Sequence, residues 1–234
     1  MSRGIVQERS VMKKIAAIGM GLACLGGLVG AAGQALAHPH VWVSVRTELV
    51  MDGTKVSAIK HHWLFDDAFS AFASQGLDEN GDGKLSREEL QPLAQVNVES
   101  LSEYDYFSDL YVKGAPAKEE LPFTDPKDYW LSMKGDQLEL HFTLPVVAEL
   151  DGKADLVLDV YDPSFFVDFS FAEKNTAKLV GADESCKVAL KKPEALDDDT
   201  IGLLAQIPAD QREIPEDLMK MTSTLANQVQ LTCK

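Results

Sequence analysis

Positive charge is scarce in this chain: 22 lysines and arginines stand against 37 aspartates and glutamates, a formal net charge of −15 over 234 residues. A surface of that sign repels a phosphate backbone, so nucleic acid is not an expected partner. Cysteine is scarcer still, at positions 24, 186 and 233 only. A permanent membrane span needs about 20 apolar residues, and the one candidate run, from Ile15 to about Val29, is shorter and broken by glycines. No nucleophile elbow, phosphate loop or zinc-protease motif is present. The chain is therefore expected not to be an enzyme.

What the N-terminus does contain is the pattern of a cleaved export signal. Lys13 and Lys14 precede the apolar run, and Ala35 and Ala37 supply a small-residue cleavage site. Residues 1–37 are read as a signal peptide cut after Ala37. Lipid attachment at Cys24 is the weaker reading, because Gly21-Leu22-Ala23 is a poor approach and the apolar run continues past it. Loss of Cys24 leaves Cys186 and Cys233, which in an oxidising compartment read as a disulfide in preference to a two-thiolate metal site. Cleavage also makes His38 the first residue. It then offers one ion both its imidazole and its α-amine, whose ordinary pKa is roughly 7.7 to 8.0. His40 follows as a third donor, while Pro39 has no N–H to give up as a ligand. Two histidines at the solvated start of a strand are the plainer alternative.

From His40 to Met51 apolar residues alternate as in a strand, Asp52-Gly53 marks a tight turn, and Lys55 to Phe65 reads as the returning strand. A two-residue turn there pairs Ser44 with His61 and Trp42 with Trp63. His40, Trp42, His61 and Trp63 then share one face, and His62 takes the other. In that register His40 sits opposite Phe65, roughly 14 Å from His61 at about 3.4 Å per residue, so the two do not share an ion in a regular hairpin. The fifth histidine, His141, lies on the face of its strand opposite the leucines of Leu138-Glu139-Leu140-His141-Phe142-Thr143-Leu144. It reaches the other histidines only through tertiary packing.

The most specific motif runs from Asp78 to Glu89 and fits a calcium loop at every required position. Asp78, Asn80 and Asp82 supply side-chain oxygens, Lys84 its carbonyl, Ser86 a direct or water-mediated contact, and Glu89 both carboxylate oxygens; Gly83 permits the sharp bend. Hard oxygen ligands suit Ca2+, not nickel, copper or zinc. Asp66 to Leu77 and Ser86 to about Tyr104 carry apolar residues at helical spacing on either side.

The rest reads as strands at Phe107 to Val112, Tyr129 to Met133, Gln137 to Leu144, Ala154 to Tyr161, Phe165 to Phe171, Cys186 to Leu190 and Val229 to Cys233. Helices are expected at Thr200 to Gln206 and Glu216 to Asn227. The fold class is α+β: residues 38–234 form a single β-rich, sandwich-like domain with an EF-hand-like helix-loop-helix inserted at 66–104 and helices near the C-terminus.

Six segments together, His38-Pro39-His40-Val41-Trp42-Val43, His62-Trp63-Leu64-Phe65-Asp66, the calcium-type loop, Tyr104-Asp105-Tyr106-Phe107, His141-Phe142-Thr143-Leu144-Pro145 and Tyr161-Asp162-Pro163-Ser164-Phe165-Phe166, resemble a periplasmic family. That family carries a domain-of-unknown-function name and is described as an ABC-type transport system periplasmic component. Its members are commonly encoded beside an inner-membrane nickel/cobalt (NicO-type) permease, and some are associated with zinc. The resemblance implies a periplasmic accessory protein for transition-metal transport that holds Ni2+, Co2+ or Zn2+, with His38 and His40 the foremost contacts and His61, His62 and His141 further candidates. A calcium-stabilised binding or scaffold module is the alternative, and a copper enzyme using an N-terminal histidine ranks third. The Tyr161 to Phe166 segment also reads simply as a turn between strands.

Overall fold

Alternation of apolar and polar side chains beyond Pro39 produces the hairpin on which the fold is built. In the computed structural model, which describes residues 39–115, 123–193, 197–204, 206–207 and 223–234, β1 (Val41–Gly53) and β2 (Lys55–Phe65) pair antiparallel. Val43, Val45, Leu49, Ile59 and Trp63 are buried along one face, each such side chain contributing about 1.5–3 kcal/mol relative to exposure. Gly53 sits at φ 61° in the turn, a left-handed conformation that costs glycine little.

The register differs from the one the Asp52-Gly53 pattern predicts. Asp52 pairs with Lys55, and a bulge between Val50 and Met51 shifts the ladder again, so Val45 faces Trp63, Arg46 faces His62 and Thr47 faces His61. An odd shift exchanges the faces of a strand. His61 and Trp63 therefore point into the core, and Trp42 belongs to the outer face with His62. His40 precedes the ladder altogether.

Eight further strands follow among the described residues: β3 (Ser108–Val112), β4 (Lys127–Lys134), β5 (Gln137–Asp151), β6 (Leu156–Val160), β7 (Val167–Phe171), β8 (Ala177–Ala182), β9 (Cys186–Lys191) and β10 (Asn227–Cys233). The larger sheet runs β4-β5-β2-β1-β7, with β8 also beside β1; β7 and β8 are parallel to β1. The smaller sheet runs β3-β6-β10-β9. One apolar cluster joins both, taking Trp63, Leu140 and Phe142 from the first and Leu158, Val160, Val229 and Leu231 from the second. The buried Asn227 amide crosses between sheets, donating to the Phe169 carbonyl at 2.6 Å. Strand β8 has no counterpart among the expected elements, because Gly181 and its exposed, alternating side chains carry little periodic signal.

Three α-helices lie among the described residues of this α+β architecture: α1 (Asp67–Ala73), α2 (Arg87–Leu101) and α3 (Asp198–Leu204). The first two flank the calcium-type loop but are shorter than helical spacing predicts. Helix α1 is capped by Asp66, whose carboxylate accepts the Phe69 N–H. Helix α2 begins in a capping box between Ser86 and Glu89. It ends at Leu101 and passes into a 3-10 segment, Ser102–Phe107, in which Asp105, Tyr106 and Phe107 all take positive φ, a run that no right-handed helix continues through. At the other end of the chain a single 3-10 turn, Ser223–Leu225, and the start of β10 occupy the last part of the helix expected at Glu216 to Asn227; its beginning lies outside the described residues, as do the segment expected to be a signal peptide, residues 1–37, with Cys24, and His38.

Cys186 and Cys233 face each other across β9 and β10 and are bonded, 47 residues apart in sequence. In the chain-entropy model a link of that span contributes about 4 kcal/mol. Among the described residues no helix is long and apolar enough to cross a membrane.

Candidate metal centre

Strand β5 alternates around its leucines: Leu138, Leu140, Phe142 and Leu144 join the core, so Glu139, His141 and Thr143 lie on the outer face of the larger sheet. Pairing with β2 sets His141 directly opposite His62. Their Nδ1 atoms are 2.7 Å apart, so one of the two carries the proton that the other accepts. The Nε2 atoms point away from the meeting point, toward oxygen. His141 Nε2 is 2.9 Å from Ser132 Oγ on β4 and 3.6 Å from a Glu139 carboxylate oxygen. His62 Nε2 is 4.0 Å from Glu48 on β1. Trp130 of β4 stacks on His141, ring centres 4.6 Å apart, and the Arg87 guanidinium lies 4.6 Å over the Trp130 ring.

Both imidazoles are neutral at pH 7. Burial pulls His141 down to about 4, with Glu139 resisting and His62, Arg46 and Arg87 adding to the shift. Burial likewise lowers His62, against the pull of Glu48 and with the help of Arg46 and Lys178. Glu139 is itself ion-paired with Arg46, and Lys134 stands 3.8 Å away, so its charge is largely committed. The arrangement is that of two neutral imidazoles joined at Nδ1 by one shared proton, with the Ser132 hydroxyl 2.9 Å from His141 Nε2 and the Glu48 carboxylate 4.0 Å from His62 Nε2. Rings held so by a carboxylate or hydroxyl are the common form of metal-ligating histidine.

The remaining histidines lie elsewhere. His61 is fully buried on the core face, its Nδ1 3.3 Å from Thr47 Oγ1 and its Nε2 3.2 Å from Ser108 Oγ on β3. Burial and the neighbouring His62 lower it to about 3. It is a polar tie between the two sheets, with no ring nitrogen left over for an ion. His40 stacks on Phe166 at 4.7 Å and its backbone N–H donates to the Phe166 carbonyl. Six residues separate it from Arg46, the partner of His62, or roughly 20 Å at about 3.4 Å per residue. Five candidate ligands thus divide into a pair, a core residue and a terminal group whose other member, His38, is outside the described residues.

The loop from Asp78 to Glu89 is folded around its own carboxylates. Asp78 accepts the N–H groups of Gly81, Asp82 and Gly83; Asn80 accepts from Asp82, and Asp82 from Lys84. Glu89 reaches back to the N–H groups of Glu79, Asn80 and Ser86, and these bonds hold its carboxyl below the usual range. Gly83 takes φ 77° at the bend. Among the described residues no group of three or more His, Cys, Asp or Glu side chains is drawn together as an ion's full ligand set.

The sequence pattern puts His141 on the strand face opposite the leucines, as in the structure, but holds no sign of its partner 79 residues away. Glu48, Ser132, Trp130 and Arg87 carried no signal at all, since each is an ordinary strand or helix residue until β5 is laid between β2 and β4.

Two curated proteins are similar in sequence to this chain. One is an uncharacterized protein of Haemophilus influenzae, 25% identical over 166 residues, covering 68% of this chain and 74% of that protein. The other is an uncharacterized 15.5 kDa protein of the trpE 3′ region of Spirochaeta aurantia, 30% identical over 106 residues, 45% of this chain and 73% of its own length. A family model described as protein of unknown function (DUF1007) matches residues 23–233, and the chain belongs to that family.

Proposed function

We propose that this is a periplasmic accessory protein that binds a divalent transition ion between His62 and His141 and exchanges it with an inner-membrane permease of the nickel/cobalt type. The observation that carries the reading is the convergence of the two Nδ1 atoms at 2.7 Å, with oxygen behind each ring. Loading needs no net loss of a proton: with the shared hydrogen on His141, that ring moves it from Nδ1 to Nε2, where the Ser132 hydroxyl 2.9 Å away accepts it. At nitrogen–metal distances of about 2.0–2.1 Å, adjacent positions at a right angle put two nitrogens about 2.9 Å apart, and tetrahedral positions about 3.4 Å. The observed spacing is that of the shared hydrogen bond, so either geometry needs only a small separation of the rings, and Ni2+, Co2+ and Zn2+ remain the candidates that the family resemblance implies. Two protein donors leave positions open for exchange, as delivery to a permease requires. The permease partner, and His38 with His40 as an additional contact, rest on the family resemblance of the sequence.

The test is the metal content of protein purified after natural export, with intact mass fixing the first residue, followed by competitive titration with nickel, cobalt, zinc, copper and calcium. The reading predicts a chain beginning at His38 that holds one transition ion, nickel, cobalt or zinc. Calcium alone would replace it with a calcium-stabilised binding module, a reading favoured by the hydrogen-bonded frame of the Asp78 to Glu89 loop. In either case Asp78, Asn80, Asp82, Lys84, Ser86 and Glu89 would hold Ca2+, which would fix the start of α2.

A further inference from the structure

An apolar cavity of about 220 Å³ is bounded by the core face of the larger sheet, the end of α2 and the turn between β6 and β7. It takes no wall from His62 or His141. Aromatic rings line it in series: Tyr104 stacks on Phe107 at 5.3 Å, Phe107 meets Phe169 at 5.4 Å and Phe169 meets Trp63 at 4.9 Å, while Phe65 and Phe69 lie 4.6 Å apart. An apolar cavity of about 150 Å³ already holds benzene, so this one has room for a compact organic molecule.

The backbone beside it is strained. Asp105, Tyr106 and Phe107 hold left-handed φ in succession, and so does Phe165, between the lining residues Ser164 and Phe166. Non-glycine residues keep that conformation only where their surroundings over-determine it, and such outliers gather at ligand clamps.

The polar groups of the lining carry a sign. Asp162 is 4% exposed and is the one charged side chain there among the described residues. Its Oδ1 accepts from the Ser164 N–H and hydroxyl, and its Oδ2 from the Val167 N–H. A carboxylate has about four acceptor positions, so a position is left over. All of these donors are neutral, and among the described residues no lysine, arginine or histidine pairs with it; a buried charge ordinarily has such a partner. Asn97 spends an amide N–H on the Leu93 carbonyl and keeps its Oδ1 as an acceptor. The Trp63 Nε1–H is unpaired among the described residues but is sealed from a water-sized molecule. The cavity thus offers ring faces, acceptors and a negative charge, with no fixed cation.

We propose that this cavity binds an organic cation, an ammonium group on a compact aromatic or alicyclic body, with the body among the rings and the ammonium at Asp162 and Asn97. Ring faces attract a cation that has left water, and the carboxylate supplies the opposite charge. The site is separate from the proposed metal centre and does not depend on it.

The probes are three molecules of one shape and different charge: 2-phenylethylammonium, neutral 2-phenylethanol and 3-phenylpropanoate, titrated by calorimetry at pH 7.5 into the full mature chain freed of transition metal, calcium present throughout. An alkylamine, like lysine at about 10.4, is protonated at that pH. The ammonium is expected to bind at least tenfold more tightly than either of the others. Asp162→Asn should remove that preference while leaving 2-phenylethanol unchanged. Because Asp162 also holds its own turn, Ser100→Lys on the exposed side of α2 is the second variant. It should weaken the ammonium about tenfold and tighten 3-phenylpropanoate. Equal binding of ammonium and alcohol, a preference for 3-phenylpropanoate, or no binding of any of the three overturns the proposal.

Discussion

His61 and His62 are neighbours in the chain and opposites in every physical respect. One is sealed between two sheets with a hydroxyl on each ring nitrogen; the other lies on an outer face, sharing a proton with His141. The pleat alone separates them, since successive residues of a strand point to opposite faces. A histidine's residue type therefore says little about its use: burial with two fixed partners makes a structural tie, whereas convergence of two ring nitrogens makes a donor pair.

The sharpest break in that comparison is truncation. His61→Ala removes a buried ring and leaves the Thr47 and Ser108 hydroxyls without their partner, at a cost of about 3–5 kcal/mol in urea unfolding. Nickel stoichiometry at the outer pair should survive in the folded fraction. Acid tests the same residue more gently. Its folded pKa of about 3 lies below the ordinary 6.5, so the unfolded chain binds the proton first. The stability that neutral His61 provides is complete above pH 6.5 and is lost as pH falls toward 3. Between pH 6.5 and 4.5 the melting temperature should drop by roughly 5–10 °C more than in His61→Gln. An equal drop in the variant would mean that other groups carry the acid sensitivity.

Smaller effects sharpen the outer side of the comparison. Ser132→Ala takes away the oxygen nearest to His141 Nε2 and should weaken nickel binding about tenfold, with little change in stability. Glu89→Gln should abolish the rise in melting temperature on adding calcium while leaving nickel affinity within a few-fold, because the loop reaches toward the proposed histidine site through Arg87, which lies over Trp130 at the start of α2. A collapse of nickel binding in that variant would instead make the loop part of the site.

Local pattern carried much of the fold. The β1–β2 hairpin, the calcium-type loop with its capping box at Ser86, the alternation of β5 and the pairing of two remaining cysteines all depend on residues close in sequence or on a simple count. What failed depends on contacts that sequence does not encode locally. The bulge at Val50 and Met51 moved the hairpin register by an odd number and turned His61 inward. The placement of β5 between β2 and β4 joined His62 to His141 and Trp130. Parallel pairing of β7 and β8 with β1 required long connections that no turn signal announces. The donor pair is thus a product of sheet order, and each half of it was visible without the other.

Nickel titration of the mature, calcium-loaded chain against His62→Ala and His141→Ala, read by calorimetry at pH 7.5, tests the central claim most directly. One ion per wild-type chain, lost or weakened at least a hundredfold in each variant, is the result predicted for a site made by the pair. Unchanged binding in both variants would contradict it and move the ion to another part of the molecule.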